Sequence, residues 1–152
     1  MAGEGQAGEG QACEICRGEA FDADFGRVLI WHNDLWRLST SVIAPILGYS
    51  YLEPLRHIPF VTDLDGPEAA SFGSTLAAVT GLLKELTEAD IVYALMFGDH
   101  VPHLHVNLVP HRAGDAVTGG VALLDESAPS LPSELHEAFV DRLREKTGSR
   151  LA

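Results

Sequence analysis

The stretch from His100 to His111 most constrains this chain, because ligand-type side chains alternate with apolar ones through it. Successive side chains of an extended strand point to opposite faces of the sheet, so neighbours on one face lie roughly 6.5–7 Å apart. One face carries nitrogen-bearing side chains, namely His103, His105 and Asn107. The other face carries apolar side chains, namely Leu104, Val106 and Leu108. The alternation predicts a buried strand with core on one side and a chemical site on the other.

The chemistry of such a site follows from the residue types. An imidazole binds a metal, attacks phosphorus or transfers a proton near neutral pH. The alternative interpretation is a set of hydrogen-bonded core residues, which is the usual role of a single histidine on an apolar face. Two imidazoles beside a carboxamide on one face are costly to bury without a function, so the pattern favours a functional site.

Length and composition set the class of protein. A chain of 152 residues forms about one domain, and an apolar content of 46% is ordinary for a soluble globular protein. The longest apolar runs are too short to span a membrane, and the first residues lack the basic, apolar pattern of a signal peptide. We therefore expect a single-domain cytoplasmic protein.

The net charge of −12 excludes some partners. A protein that binds long polyanions needs a basic surface, so we expect neither DNA nor RNA as a partner. A small phosphorylated substrate is compatible with this charge if a metal, imidazoles and arginines such as Arg56 and Arg112 reverse the local field.

The N-terminal segment divides into a tail and a cysteine pair. Residues 3–12 repeat Gly-Glu-Gly-Gln-Ala without a large apolar side chain, so we expect residues 1–12 to be a disordered tail. Cys13 and Cys16, the only cysteines, form a Cys-x-x-Cys pair that can hold one tetrahedral metal or act as a redox pair. A redox pair normally begins a helix within a strand-helix unit, and a structural disulfide is the least expected state in an intracellular protein.

The rest of the chain alternates strand and helix signals. Apolar runs predict a hairpin over 27–39 with its turn at 32–34, a strand over 49–53 and a strand over 91–97 that is buried on both faces. A capping Asp65, Pro67 in the first turn and Glu68 three residues after the cap predict the start of a long helix. A second helix is predicted over 133–146. The order predicts one α+β domain over residues 13–112 with a mainly antiparallel sheet, followed by a C-terminal extension over 113–152.

Two blocks of the sequence resemble the histidine triad superfamily of nucleotide hydrolases and transferases. Val101 to Pro110 is similar to the signature that alternates histidine with apolar residues and ends on proline, although Asn107 stands where the third histidine usually is. Gly48 to His57 is similar to the family's glycine, strand, proline, basic residue and histidine segment. The resemblance covers about residues 13 to 112 and implies a nucleotide-type phosphorylated substrate and, commonly, a homodimer.

The resemblance also implies a metal site. Zinc-bearing histidine triad proteins use a cysteine pair, the histidine after the basic residue and the first triad histidine. In this sequence those residues are Cys13, Cys16, His57 and His103. They would form a closed structural zinc site that ties the N-terminal segment to the end of the site strand.

With His103 on zinc, the resemblance assigns the nucleophile to His105, which would form a covalent nucleotidyl-histidine. A hydrogen bond from one ring nitrogen to a backbone carbonyl would aim the other nitrogen at phosphorus. Asn107 can donate only neutral hydrogen bonds to a phosphoryl oxygen, as does the glutamine that the galactose-1-phosphate uridylyltransferase branch has at this place. We therefore expect either a good leaving group or transfer in place of plain hydrolysis.

Three other residues complete the predicted site. His100 lies three residues before His103, where relatives often have serine, and is predicted to assist the leaving group. His111 stands where the family usually has arginine, and Arg112 is predicted to substitute for it in substrate binding.

Three functions are compatible with this pattern. The leading one is a zinc-containing nucleotidyl hydrolase or transferase that acts through His105. The second is a zinc-stapled nucleotide-binding module with little turnover, because of Asn107 and His111. The third is a metallohydrolase in which His103 and His105 both bind an open-site metal that activates water. The ligand set distinguishes the first function from the third. A closed site of two cysteines and two histidines leaves His105 free, whereas an open site would use His105 and keep a water on the metal.

Overall fold

The computed structural model describes residues 13–115 and 128–151, so the tail predicted for residues 1–12 lies outside the described residues. The strands are β1 (Arg27–His32), β2 (Trp36–Ser41), β3 (Ser50–Pro54), β4 (Ile91–Met96) and β5 (Val106–His111). The helices are α1 (Glu19–Asp24), α2 (Gly66–Thr87) and α3 (Ser133–Arg150), with single 3-10 turns at Ile15–Arg17 and Val61–Asp63.

The five strands form one sheet in the order β1-β2-β3-β5-β4, and each neighbouring pair is antiparallel. The predicted α+β class with an antiparallel sheet, a long helix and a C-terminal helix is therefore confirmed. The predicted hairpin is β1-β2, and Asn33 stabilises its turn by accepting hydrogen bonds from the backbone amides of Leu35 (2.8 Å) and Trp36 (2.7 Å).

The two faces of the sheet differ in polarity. The apolar face packs against α2 and α3, and its buried members are Ile30, Trp36, Leu38, Leu52, Val79, Leu82, Leu83, Leu86, Val106, Leu108, Phe139, Val140 and Leu143. The side chains of Arg37, Ser39, Glu53 and Asn107 occupy the alternate positions and face the other way. The sheet thus separates the core from a polar face.

α2 starts where the sequence predicts, but the side chain of Asp65 does not cap the helix. Asp65 is the N-cap and Pro67 lies in the first turn, as the sequence predicts, but the Asp65 side chain makes no cap hydrogen bond. Both carboxylates instead bind Arg56, which donates to Asp65 at 2.6 Å and to Glu68 at 3.1 Å. The hydrogen bonds to Arg56 lower the pKa of Glu68, so the pair stays ionised near neutral pH. The loop after β3 is thereby attached to the first turn of α2.

The prediction that 91–97 is buried on both faces is wrong. β4 is one of the two edge strands of the sheet, and Ile91 (45%), Met96 (42%) and Phe97 (49%) are exposed. A run of apolar residues occurs both in central strands and in edge strands that pair with another chain. The sequence pattern therefore does not distinguish a central strand from such an edge strand.

The site strand also begins later than the alternation predicts. β5 starts at Val106, so His103 and His105 precede the paired residues, while Leu104 is buried as expected. Gly48, which begins the second block, has a φ of 80°, and a Cβ there would lie 2.9 Å from the Thr87 side chain. Only glycine fits both constraints. Among the described helices, none is long and apolar enough to cross a membrane.

Candidate functional site

Four predicted metal ligands meet at one point. The ligating atoms of Cys13, Cys16, His57 and His103 all lie within 4.8 Å of one another. His103 Nδ1 lies 3.4 Å from each cysteine Sγ, and His57 Nδ1 lies 3.5 Å from Cys16 Sγ. A tetrahedral zinc with Zn–S of about 2.3 Å and Zn–N of about 2.0–2.1 Å requires S···N edges of roughly 3.5 Å. The donor set and its dimensions therefore fit one tetrahedral ion.

Hydrogen bonding prepares His103 as a ligand. Its Nε2 lies 2.9 Å from the carbonyl oxygen of Pro54, which can only accept, so Nε2 carries the proton and Nδ1 presents its lone pair to the cysteines. Burial lowers the pKa of His103 below its ordinary value, although the Pro54 hydrogen bond opposes this shift. The ring is therefore neutral near pH 7, as a metal ligand must be.

The cysteines need a cation to ionise together. Burial, together with the hydrogen bond and the charge of Cys13, raises the pKa of Cys16 to about 11. Both thiols are free of disulfides. Without a cation the raised pKa keeps the Cys16 thiol protonated, whereas a bound divalent cation stabilises the thiolate form of both cysteines. This donor chemistry fits a metal site better than it fits a redox pair, whose attacking thiol has a lowered pKa.

His105 is not part of the cluster of predicted metal ligands. Its Nδ1 donates to the backbone carbonyl of His103 at 2.7 Å, and a carbonyl only accepts, so Nε2 carries the lone pair. The predicted hydrogen bond that fixes the ring tautomer is therefore confirmed. His105 is half-buried and lines a groove on the polar face of the sheet. This imidazole can act as a nucleophile towards a group held in that groove.

Asn107 lies beside His105 in the groove with its carboxamide held at both ends. Nδ2 donates to the Leu95 carbonyl at 3.3 Å, and Oδ1 accepts from the Tyr49 hydroxyl at 3.3 Å. The Leu95 carbonyl can only accept, which fixes the orientation of the amide. One amide hydrogen remains for a phosphoryl oxygen. Sequence reasoning missed Tyr49, whose place in the block before His57 gave no chemical signal.

The groove has a volume of about 780 Å³. Polar side chains line one part of it, including Ser41, Tyr49, His105 and Asn107. Apolar side chains line another part, including Ile15, Phe21, Phe25, Ile43 and Phe97. His100 and Asp99 are exposed at its rim, so the structure brings His100 to the same groove as His105.

His111 and Arg112 lie elsewhere. Both line a second pocket of about 310 Å³, and neither lines the groove of His105. The reason is strand geometry, because His111 lies four positions after Asn107 on β5, which is a distance of roughly 13 Å. Arg112 lies 3.7 Å from Glu88 and 3.9 Å from Asp115, which neutralise it. The structure does not bring these two predicted substrate-binding residues to the nucleophile.

Sequence reasoning missed a buried ion cluster, one member of which, Arg27, lines the groove. The cluster consists of Asp22, Arg27, Arg37 and Glu53, each at most 6% exposed. Burial lowers the pKa of Arg37, but hydrogen bonds and charges of Asp22 and Glu53 outweigh burial and raise it. The available signal was a charged residue inside each of three strand-forming runs, with Arg37 and Glu53 directly opposite in register.

Among the groove-lining residues that the structure describes, Arg27 is the only arginine or lysine, and two carboxylates neutralise it. The segments outside the description, 1–12, 116–127 and residue 152, contain no lysine or arginine. The groove therefore offers imidazoles and neutral donors, but no uncompensated permanent cation, to a negatively charged ligand.

Comparison with known proteins gives matches in structure alone. No family model matches the chain, and no curated protein matches it in sequence. A histidine triad protein from Bradyrhizobium japonicum superposes with a TM-score of 0.69 at 24% identity, covering 82% of this chain and 92% of that chain.

Two further solved structures are similar. A zinc-bound histidine triad family protein from Mycobacterium smegmatis has a TM-score of 0.65 and 16% identity, covering 91% of this chain and 97% of its own. The diadenosine triphosphate hydrolase of Plasmodium falciparum has a TM-score of 0.61 and 12% identity, with coverages of 82% and 78%. The chain therefore has the fold of the histidine triad proteins, with a cluster of two cysteines and two histidines beside its groove.

Proposed function

We propose that this protein is a nucleotide-phosphoryl hydrolase or nucleotidyltransferase that forms a covalent nucleotidyl intermediate on His105. The observation that carries the proposal is the hydrogen bond from Nδ1 of His105 to the carbonyl of His103, which leaves Nε2 as a lone-pair donor in the groove. A diadenosine triphosphate hydrolase with the same fold supports a nucleotide substrate.

In the first step, the Nε2 lone pair of His105 attacks the α-phosphorus and forms an N–P bond. The bond from phosphorus to the leaving group breaks, and the leaving group takes that electron pair. In the second step, water or another acceptor attacks phosphorus, the N–P bond breaks with its electron pair returning to Nε2, and any proton on the attacking oxygen passes to solvent. This step releases the nucleotide and restores the neutral imidazole.

Asn107 would stabilise the phosphoryl oxygens. Its remaining amide hydrogen is a preorganised donor, because Tyr49 and Leu95 already hold the carboxamide. A carboxamide cannot give a proton to the leaving group. His100 is the titratable donor at the rim that would do so. We expect slow hydrolysis of substrates with poor leaving groups and faster reaction of substrates whose leaving group departs without a proton.

The charge of the groove favours substrates with few negative charges. Asp22 and Glu53 neutralise Arg27, and the chain carries a net charge of −12. A phosphoramidate or a diester places one negative charge at phosphorus, whereas a polyphosphate chain places several that would lack a counter-cation. Charge alone therefore favours adenosine phosphoramidate over dinucleoside polyphosphates, although the ammonia leaving group of the phosphoramidate needs the proton that His100 would donate, whereas a polyphosphate departs without one.

Zinc is the ion that the donor set would hold, through Cys13, Cys16, His57 and His103. It would supply a structural cross-link between the N-terminal segment and the residues before β5, and no step of the reaction. His105 is not among the four residues whose ligating atoms converge, which argues against a metallohydrolase with His105 as a ligand. The free thiols favour a reducing compartment such as the cytoplasm.

The second candidate is a nucleotide-binding module with little turnover. Asn107, which cannot protonate a leaving group, is the observation that favours it. Both candidates use the same groove, so a measurement of covalent chemistry separates them.

The test is intact-mass analysis of protein incubated with adenosine phosphoramidate, diadenosine polyphosphates and nucleotide sugars. The enzyme proposal expects a nucleotidyl adduct or released nucleotide in wild type and neither in His105→Ala. The control is His32→Ala, which removes an exposed histidine at the end of β1 and should react as wild type does. Binding without adduct or product from any of these substrates would support the module.

A further inference from the structure

The N-terminal knuckle, residues 13–25, supplies one wall of the groove. Ile15, Phe21 and Phe25 are its side chains that line the groove. The knuckle consists of one 3-10 turn and the six-residue α1. So short a segment has little helical stability of its own, and its position depends on what anchors it.

One anchor is the metal site at its start, and the other is Asp22 within α1. Asp22 is 2% exposed, and its Oδ1 lies 3.1 Å from Arg27 Nε on β1. Its second oxygen binds Arg37 on β2. Both arginines also bind Glu53 on β3, at 2.7 Å and 3.0 Å. One carboxylate thus attaches the knuckle to charges contributed by three strands.

The buried ion cluster continues into the surface of the groove. The Arg27 guanidinium lies 5.1 Å from the centre of the Phe21 ring and 3.9 Å from that of the Tyr51 ring. Both rings line the groove. Stacking on Arg27 holds the two rings, so a change in the position of Arg27 moves the knuckle wall and the sheet wall together.

We propose that Asp22 is a positioning residue for the groove, because it docks the metal-bearing knuckle against β1 and β2 so that Phe21 and Phe25 form a wall. The inference rests on the proposed function for its substrate and on the proposed metal site. The buried ion cluster contains two carboxylates and two guanidinium groups, so the loss of one member alone leaves an unbalanced buried charge.

The nucleophile is held separately. His105 is oriented by the carbonyl of His103, and no member of the buried ion cluster takes part in that hydrogen bond. Loss of Asp22 should therefore weaken substrate binding while leaving the chemical step intact. A purely structural role would lower the amount of folded protein without separating these two quantities.

The experiment compares Asp22→Asn with Asp24→Asn, the same substitution in the same helix. Asp24 is a matched control because it is exposed and pairs with Arg17 at the surface, at 2.7 Å. Three quantities are measured: zinc per chain, affinity for adenosine monophosphate by calorimetry, and single-turnover adduct formation at saturating phosphoramidate. Hydrogen exchange of residues 13–25 and 49–53 provides a readout that needs no ligand.

For Asp22→Asn we expect one zinc per chain, affinity weaker by roughly tenfold and an adduct rate within about twofold of wild type. Exchange should rise in residues 13–25, and Asp24→Asn should match wild type throughout. Unchanged affinity and exchange in folded Asp22→Asn would overturn the inference. If wild type forms no adduct, the proposed function fails, and exchange alone still decides the role of Asp22.

A second variant covers the case in which Asp22→Asn does not fold. Asp22→Asn combined with Arg27→Gln removes one charge of each sign and leaves the Arg37–Glu53 pair balanced. It should fold, retain zinc and show the same increase in exchange over residues 13–25. Failure of both variants to fold would also overturn the inference, because the buried ion cluster would then be required for the whole domain.

Discussion

Nδ1 of His105 donates a hydrogen bond to the backbone carbonyl of His103 at 2.7 Å, and His103 itself presents Nδ1 to Cys13 and Cys16. One residue thus belongs to the proposed metal site through its ring and to the proposed active site through its carbonyl. The orientation of the nucleophile is therefore coupled to that of a metal ligand two residues away. A change at the proposed metal site should therefore alter the rate of reaction at His105, even though the ion does not contact the substrate.

Removal of the metal should unfold or loosen the protein. Cys16→Ser replaces a soft thiolate with a poor zinc ligand, so we expect less than one zinc per chain and a lower thermal midpoint. Since structural zinc contributes folding free energy directly, the loss of stability should amount to several kcal/mol, on the order of the cost of losing a native disulfide. Metal analysis and thermal unfolding of Cys16→Ser beside His32→Ala provide the measurement. Full zinc content in Cys16→Ser would contradict the four-ligand assignment.

Tyr49 should affect the rate of adduct formation on His105, because it positions Asn107. Tyr49→Phe deletes the hydroxyl that donates to Asn107 Oδ1, so that only the hydrogen bond to the Leu95 carbonyl still holds the carboxamide. A net hydrogen bond of about 1 kcal/mol corresponds to a rate of adduct formation lower by roughly fivefold. Rapid-quench measurement at saturating adenosine phosphoramidate checks this. Tyr93→Phe on β4 is the control, because Tyr93 does not line the groove. Equal rates in the two variants would show that Tyr49 does not position Asn107.

His136 should make stability depend on pH. Burial lowers the pKa of His136 below its ordinary value of 6.5, although its Nε2 hydrogen bond to Ala44 opposes the shift. The unfolded chain therefore takes up this proton first as the pH falls. The contribution of neutral His136 is complete above the unfolded pKa and is lost as the pH falls from there through the lowered pKa of the folded protein.

The measurement is urea unfolding of wild type and His136→Gln at about pH 7.5 and about pH 5.5. Wild type should lose more stability than the variant over this interval, by at most about 1.4 kcal/mol per pH unit for one proton. The lowered pKa of His103 acts in both proteins and cancels in the comparison. A difference of the opposite sign would show that His136 is charged in the folded state.

The exposed edge of the sheet supports the predicted homodimer. β4 is an edge strand with exposed Ile91 and Met96, and unpaired edges of this kind recruit a second strand. We expect sedimentation to give a dimer for wild type and a monomer for Ile91→Lys combined with Met96→Lys. Leu135→Lys, at an equally exposed position on α3, is the control and should remain dimeric. If the wild-type protein sediments as a monomer, the prediction of a homodimer is wrong.

The sequence by itself determined most of the helices and strands and the members of the Cys/His cluster. The alternation around His105 and the apolar spacing of α2 are local patterns, and local patterns fix which residues share a face. The resemblance to the histidine triad signature assigned Cys13, Cys16, His57 and His103 to one site, and their ligating atoms do converge.

Only the tertiary structure decided which distant side chains meet. It separated His111 and Arg112 from the groove, exposed the edge of β4, and brought Tyr49 to Asn107. It also balanced the charge of Asp22 against arginines from two strands. Period and spacing describe the direction of a side chain within its own element, whereas a contact depends on strand order and on the way the elements pack. Packing is a property of the whole chain, because each buried charge or open edge is stable only with the partner that another segment provides.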